Sequence, residues 1–550
     1  MKKFILTILL LFLCLTGCGN EDSRSEDIVI LFTNDIHCGI DENITLAGVK
    51  GYKEYLETKN KYVTLVDCGD AIQGSSLGMV SSGEVIIDAM NEVGYDICAF
   101  GNHEFDYGLD QLVSLINKAN AKYLCANFIY TGTKENKFED LIKPYEILTY
   151  GKTKVGFISV VTPTTIIESR SVLFKEDDEY VYDFVYDSQE FYNLIQNYVD
   201  EVKQKGADYV ILLAHCGIQA IGDVYEYMSN EIINNTNGID VLLDGHSHST
   251  YIRHCTENKD GDYVISAQTG TKLSSLGQLN ISQDGSISIS LVDDITRVDE
   301  ESKAIIDQYI ESYSTLLNEV VTHTDFDLSI EDEKGVRMVR ATETNIGDFV
   351  SDAYRYVTDA DIGYTNGGSI RTNIKAGDVT MSDVISVTPF GNGICLVEVT
   401  GQEILDMLEY FSQNVQSSYT DGKGNSLGEF GSFACVSGLK YSVDTSIPAS
   451  LTVDDKDNLI SVDGQRRVHD VLVLENDKYV PIDINKTYKL ATTDYVATQG
   501  GSGMEVFLKD HNIFAENVML DYESLIYYLK DVLNGDVSQY QEIGDRITIK

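Results

Sequence analysis

Positive charge is the scarcest property of this chain. Its 550 residues hold 41 Lys and Arg against 87 Asp and Glu, a net charge of −46 at pH 7. A surface of that sign repels the phosphate backbone that a nucleic-acid binder must neutralise, which argues against a DNA or RNA polymer as partner. An anionic small molecule would need a local site where cations or arginines reverse the field. Proline is also scarce, at five, and no CxxC pair occurs among ten cysteines, so neither a zinc ribbon nor a thioredoxin-like redox site is supported. No internal repeat or low-complexity tract stands out, and no apolar run of bilayer-spanning length follows the N-terminal segment. Hydrophobic residues at 43% and charged residues at 23% exclude a disordered, collagen-like or multi-span membrane chain. The length favours two folded domains over one.

Lys2 and Lys3 precede an apolar run from Phe4 through Leu15, the order of a secretory signal and too short for a stable spanning helix. Leu15-Thr16-Gly17-Cys18 resembles a bacterial lipobox. Residues 1–17 are therefore expected to be removed, Cys18 to become the lipidated first residue, and residues 18–27 to form a polar tether. The expected location is extracytoplasmic, on the bacterial cell membrane through that lipid anchor. Eight cysteines remain in the body, and their redox state is left open.

From Ile28 to about Arg297 one theme recurs: a short apolar run that delivers a polar cluster at its end. Ile28 to Phe32 leads into Asp35 and His37, Tyr62 to Val66 into Asp70, and Tyr95 to Phe100 into Asn102 and His103. Tyr209 to Ala214 leads into His215, and Ile239 to Leu243 into His246 and His248. Such runs, separated by helix-length segments, predict buried strands of an α/β core with the clusters at strand C-terminal ends, where open α/β sheets build their sites. Between about Glu300 and Thr322, apolar residues from Ile305 through Val321 recur at three- and four-residue spacing, which predicts one amphipathic connecting helix. The expected division is a first domain over 28–299, a linker helix over 300–325 and a second domain over 326–550, the latter with a helix at Ile346 to Val357 and an apolar run at Ile394 to Val399.

Five of nine histidines fall in the strand-end clusters. A single such Asp or His is most often a cap or turn residue; the joint pattern is what carries weight. Asp35, His37, Asp70, Asn102, His215, His246 and His248 form a set of imidazole, carboxylate and amide donors suited to Zn²⁺, Mn²⁺ or Fe rather than Ca²⁺. Seven candidates exceed the needs of one tetrahedral ion, so two divalent metal ions sharing a bridging carboxylate is the economical reading.

In chain order, Asp-x-His, Gly-Asp, Gly-Asn-His-Glu, a His after an apolar run and Gly-His-x-His resemble the metallophosphoesterase superfamily. The extended Gly101-Asn102-His103-Glu104-Phe105-Asp106-Tyr107-Gly108 is similar to the 5′-nucleotidases, including the periplasmic UDP-sugar hydrolase type. The resemblance implies a two-sheet α/β/β/α sandwich, a linker helix and a separate α/β substrate-binding domain. It implies that Asp35, His37, Asp70 and His248 hold one ion and that Asp70, Asn102, His215 and His246 hold the other. It also implies a catalytic His103, oriented by Asp106, that stabilises the transition state and protonates the leaving oxygen. Well-known members carry an amide residue where this chain has His248, and the metal identity stays open.

The resemblance extends through the second half. Asn366-Gly367-Gly368-Ser369-Ile370-Arg371 matches the family's Gly-rich, arginine-ending loop, and Arg340 a second substrate arginine. Pro389-Phe390-Gly391-Asn392 matches the loop that supplies an aromatic wall and an amide, while Tyr495 and the glycines through Gly503 resemble the opposite wall. Arginine forks grip phosphate oxygens bidentately, and two aromatic faces can sandwich a base. Two departures stand out: Ser502 occupies a place that is acidic in members with a firm ribose contact, and the segment before it is one residue longer. The implied substrate-binding residues are Arg340, Asn366, Arg371, Phe390, Asn392, Tyr495 and Ser502, and the implied activity is phosphate release from nucleoside 5′-monophosphates. Hydrolysis of 2′,3′-cyclic nucleotides or UDP-sugars remains open. A sulfur-compound hydrolase is disfavoured by the nucleotide loops, and a non-enzymatic surface binder would have lost metal ligands, of which none is missing. Metals on one half and arginines on the other imply closure of the domains on the substrate; the oligomeric state is open.

Overall fold

The apolar runs become strands with both faces covered. The computed structural model describes residues 27–134, 136–168, 174–176, 179–218, 226–453, 459–497, 511, 513–515 and 519–550. The signal segment, Cys18 and Ser502 lie outside the described residues.

Ile28–Thr33, Tyr62–Asp67, Ile97–Ala99 and Lys122–Leu124 run parallel in one six-stranded sheet, continued by antiparallel Leu276–Ile281 and Ile287–Val292. A second six-stranded sheet has the parallel strands Tyr263–Thr269, Val241–Leu243, Tyr209–His215 and Thr153–Val161 between the antiparallel edges Thr250–Glu257 and Tyr145–Tyr150. Alternation along each strand divides its side chains between two layers. Ile28, Ile30 and Phe32 meet Phe157, Ile211 and Leu213 between the sheets. Val29 and Leu31 face a helical layer with Val49 and Ile86, while Val210 and Leu212 face Phe191, Ile195 and Val199 of the Ser188–Gln204 helix. Each of these buried aliphatic or aromatic side chains contributes about 1.5–3 kcal/mol of transfer free energy. The result is an α/β/β/α sandwich.

The second half is a separate α/β unit with its own core. The buried members of one apolar cluster all come from Val321 through Ile547, whereas the other three clusters end at Ile306. Its five-stranded sheet has the order Ala434–Ser437, Ile362–Asn366, Thr487–Thr493, Ile394–Thr400, Ile513–Ala515, and a four-stranded sheet adds Leu439–Val443, Val468–Glu475, Lys478–Pro481 and Ile547–Ile549. The helix Asn345–Thr358, started by Thr344 Oγ1 accepting from Gly347 N, lies buried beside the first of these sheets.

The linker departs from its expected length. The helix spans Glu300–Leu317, and Val320–Thr324 is instead a strand antiparallel to Gly377–Thr380. Consecutive β-branched residues lose side-chain freedom in a helix and fit a pleated strand once a partner strand is available. The helix is also more than a connector, because Ile306, Tyr309, Ile310 and Tyr313 pack against the first domain's helical layer. Among the described residues, Cys38, Cys68, Cys98, Cys125, Cys216, Cys395 and Cys435 are buried free thiols.

Candidate metal centre and the loops that face it

Strand ends of the two sheets bring the polar clusters together. Asp35, His37 and His248 place ligand atoms within 4.8 Å of one another, and so do Asp70, His215 and His246. The two sets touch. His215 Nε2 lies 3.0 Å from Asp70 Oδ2, and His37 Nε2 lies 4.0 Å from the same oxygen, which puts Asp70 between them. Asn102 Oδ1 is 2.9 Å from His246 Nδ1, on the second set. All seven candidate ligands are therefore gathered at one end of the sandwich.

Their local backbone is unusual. Asp35, His37, Asp70, His246 and His248 all adopt positive φ, between 49° and 77°. A non-glycine residue in the left-handed region costs about 1–2 kcal/mol, so five together mark a place where position outweighs comfort. Glycine serves the same end by close approach: a Cβ on Gly101 would stand 2.2 Å from Asp70 Oδ1.

The donor chemistry fits divalent cations. His37 Nδ1 donates to Gln73 O and His215 Nδ1 to Cys68 O, each at 2.8 Å. A carbonyl only accepts, so both rings carry a proton on Nδ1 and turn Nε2 toward buried carboxylates. That nitrogen presents a lone pair in neutral His37. In His215 burial opposes the charge, but Asp70 outweighs it and pushes the ring up, toward a second proton where a cation would otherwise lie. His37 Nε2 also faces His248 Nε2 at 2.9 Å. Lone pairs converging on Asp35 and Asp70, both essentially without solvent exposure, repel unless a cation lies among them. Burial pushes His37 down to about 4, which keeps it neutral. Burial pushes Asp70 up, but the rings of His215 and His103 outweigh that and hold it well below the usual carboxylate range.

His103 stands beside this centre. Its ring lies 5.4 Å from that of His37, its backbone N–H donates to Asp70 Oδ1, and its Nδ1 is 2.7 Å from Asp106 Oδ2. Burial opposes its charge, yet Asp106 and Asp70 push the imidazole up to about 10.

Several supporting groups escaped the sequence reading. Glu104 accepts from the backbone N–H of Asp70, Ala71 and Gly101, tying two ligand loops to one buried carboxylate. Asp244 accepts from Cys216 N and Gly217 N behind His215 and His246. Asn34 donates to Asp35 Oδ2 and Gly270 O while accepting from Thr269. Glu104 lies inside the Gly-Asn-His-Glu motif and Asp244 directly precedes Gly-His-x-His, a signal that adjacency alone leaves unassigned.

The second half supplies arginines and an aromatic loop. Arg371 stacks over Phe390, 5.6 Å from the ring centre, and its Nη1 donates to Gly368 O. Gly367 allows the Gly-rich loop to lie on the Arg340 segment, since a Cβ there would meet Val339 O at 2.1 Å. Arg340 is held below its ordinary value first by burial and then by repulsion from Arg337 and Arg371. Arg337 is thus a third guanidinium at this place, unmarked by any motif. Arg340 Nε and Asn366 Oδ1 are buried without a hydrogen-bond partner among the described residues. Asn392 donates to Asp521 Oδ2 through both its backbone N–H and its Nδ2, each at 3.2 Å. Tyr495 lies on the short helix Asp494–Ala497, 38% exposed.

Family comparisons agree with this division. A model of the calcineurin-like phosphoesterases matches residues 28–250, and one of the 5′-nucleotidase C-terminal domain matches residues 320–509. The chain is 26% identical over 549 residues to the trifunctional nucleotide phosphoesterase protein YfkN of Bacillus subtilis, covering 90% of this chain and 34% of that protein, so it spans about a third of that relative. It is 26% identical to a snake venom 5′-nucleotidase of Crotalus adamanteus, with 88% of this chain and 83% of the other covered. The solved 5′-nucleotidase precursor of Thermus thermophilus superposes with a TM-score of 0.64 at 25% identity, covering 95% of this chain and 99% of that one. A phosphoesterase sandwich carrying the ligand sets and a C-terminal half carrying the arginine loops together place the chain in the 5′-nucleotidase family of metal-dependent phosphoesterases.

Proposed function

We propose that this protein releases phosphate from nucleoside 5′-monophosphates and related nucleotides at a two-metal centre, outside the cytoplasm, tethered to the membrane through a lipidated Cys18. The observation that carries the chemistry is the pair of ligand sets meeting at Asp70. Asp35, His37, Asp70, Asn102, His215, His246 and His248 would hold two divalent ions, whose chemistry would be Lewis-acid polarisation of the phosphate and a lowered pKa for water, so that hydroxide is available as nucleophile at neutral pH.

The chain's own residues do the rest. Arg337, Arg340 and Arg371 repel one another in a protein that is otherwise strongly acidic, and a phosphate-bearing ligand relieves that repulsion. His103, with Nδ1 engaged by Asp106, presents Nε2 as the group that gives a proton to the leaving oxygen. Phe390, backed by Arg371, offers one face for a nucleobase, and Tyr495 offers the other. Hydrolysis of 2′,3′-cyclic nucleotides and of UDP-sugars draws on the same groups. No nucleic-acid polymer is expected as a partner.

The test is phosphate release by purified protein, metal-stripped and reloaded with Zn²⁺, Mn²⁺ or Fe²⁺. The substrates are nucleoside monophosphates, cyclic nucleotides, UDP-glucose and an aryl phosphate, with bound metal measured alongside. Metal-dependent hydrolysis favouring a monophosphate supports the reading; inertness toward every nucleotide removes it. For the anchor, Cys18→Ala should move the protein from the membrane fraction to the medium or periplasm, and unchanged membrane association would sink that part.

A further inference from the structure

One side chain bridges the two halves at the level of both sites. Gln73 follows Asp70 on the same loop and is 3% exposed. Its backbone carbonyl accepts from His37 Nδ1, the bond that turns His37 Nε2 toward Asp35 and Asp70. Its side-chain Nε2 crosses to the other half and donates to Pro389 O at 2.9 Å, with Phe390 O 3.5 Å away. Three residues on, Ser76 Oγ meets Ser382 Oγ at 2.9 Å. A single residue therefore holds a candidate metal ligand with its main chain and the candidate base-stacking loop with its side chain.

From this geometry we propose that Gln73 is a positioning residue: it sets the span between the metal centre and the Pro389–Asn392 loop, and through that span selects substrates of nucleoside monophosphate length. The proposal rests on the nucleotidase reading above. A substrate held at its phosphate by one half and at its base by the other is sensitive to any slip between them, whereas a short phosphate ester feels only one half. The donor matters here, because Pro389 O can only accept. Glutamate at 73 would set a carboxylate against that carbonyl, and alanine would leave it unpaired.

The experiment compares wild type, Gln73→Ala and Gln73→Glu on AMP and on an aryl phosphate, with metal content measured. Loss of one such hydrogen bond corresponds to about a three- to tenfold change. The KM for AMP should therefore rise about three- to tenfold relative to the aryl phosphate, more for Gln73→Glu than for Gln73→Ala, with bound metal as in wild type because the backbone carbonyl persists. Amide hydrogen exchange gives a readout independent of turnover: residues 390–393 should exchange faster in both variants. Equal losses on both substrates, or unchanged exchange in that loop, overturn the proposal. If wild type hydrolyses no nucleoside monophosphate, the nucleotidase reading fails on its own, and the exchange measurement still decides whether Gln73 pins the loop.

Discussion

Asp70 is the residue on which both ligand sets depend, since one of its oxygens faces His215 and His37 together and the other accepts from His103 N. Replacing it with asparagine keeps the shape and removes the negative charge that two cations would share. Asp70→Asn should therefore abolish phosphate release and lower bound metal at both sites; metal analysis showing full occupancy with wild-type turnover would exclude the bridging role. His103 poses the opposite case. It belongs to neither ligand set, and its ring is bonded to Asp106, so His103→Asn should cut turnover by about 10²–10⁴ while metal content holds, the range for a general acid–base group. Metal lost together with activity would make it a ligand instead. At this scale the sequence was most legible, because motif residues separated by up to 213 positions along the chain, Asp35 to His248, converge as their order suggested. What stayed hidden were partners with no motif of their own, such as Gln73 and Arg337, whose roles exist only once distant loops meet.

Elements were legible where burial is two-sided and less so at their ends. Strands Ile28–Thr33, Tyr62–Asp67 and Tyr209–His215 lie where continuous apolar runs placed them, because each run is covered on both faces. The run from Tyr95 to Phe100 gave only Ile97–Ala99. Its flanks make other bonds: Tyr95 Oη pairs with Thr33 Oγ1, and Asp96 accepts from Leu65 N. The linker helix was overdrawn for a related reason, since hydrophobic spacing does not distinguish Val320 and Val321 on a helix from the same residues on a strand whose partner lies some sixty positions away. The helix Asp521–Tyr527 carries no motif, yet its first residue holds the Asn392 loop. Burial pushes the Asp521 carboxyl up to about 8 from an unfolded value of 3.8. Folding thus favours the protonated form, and the stability this adds is complete below the unfolded value and is lost as pH rises through the folded one. Between about pH 4 and pH 8, wild type should lose stability that Asp521→Asn does not lose. Urea unfolding midpoints at several pH values check this, and parallel pH profiles for the two proteins would refute it.

For the whole molecule, the telling arrangement is that the candidate metal ligands and the candidate base-binding groups sit on separately cored halves. A generic phosphatase needs only the first half. Phe390 is the group that decides between the two readings, since it is partly buried against Arg371 and lies next to the carbonyl that Gln73 holds. Stacking of a base on an aromatic face is worth about 1–3 kcal/mol, so Phe390→Ala should raise the KM for nucleoside monophosphates about tenfold to a hundredfold. A small aryl phosphate too short to reach the loop should suffer much less. The alternative is that Phe390 only fills space, in which case truncation opens a cavity that lowers the thermal midpoint and harms both reactions alike. Measuring the two substrates and the melting temperature on the same preparation separates the outcomes. A selective rise in KM with an unshifted midpoint assigns Phe390 to the substrate, whereas equal losses with a lowered midpoint return it to the core and leave a metal-dependent phosphoesterase with no demonstrated hold on the base.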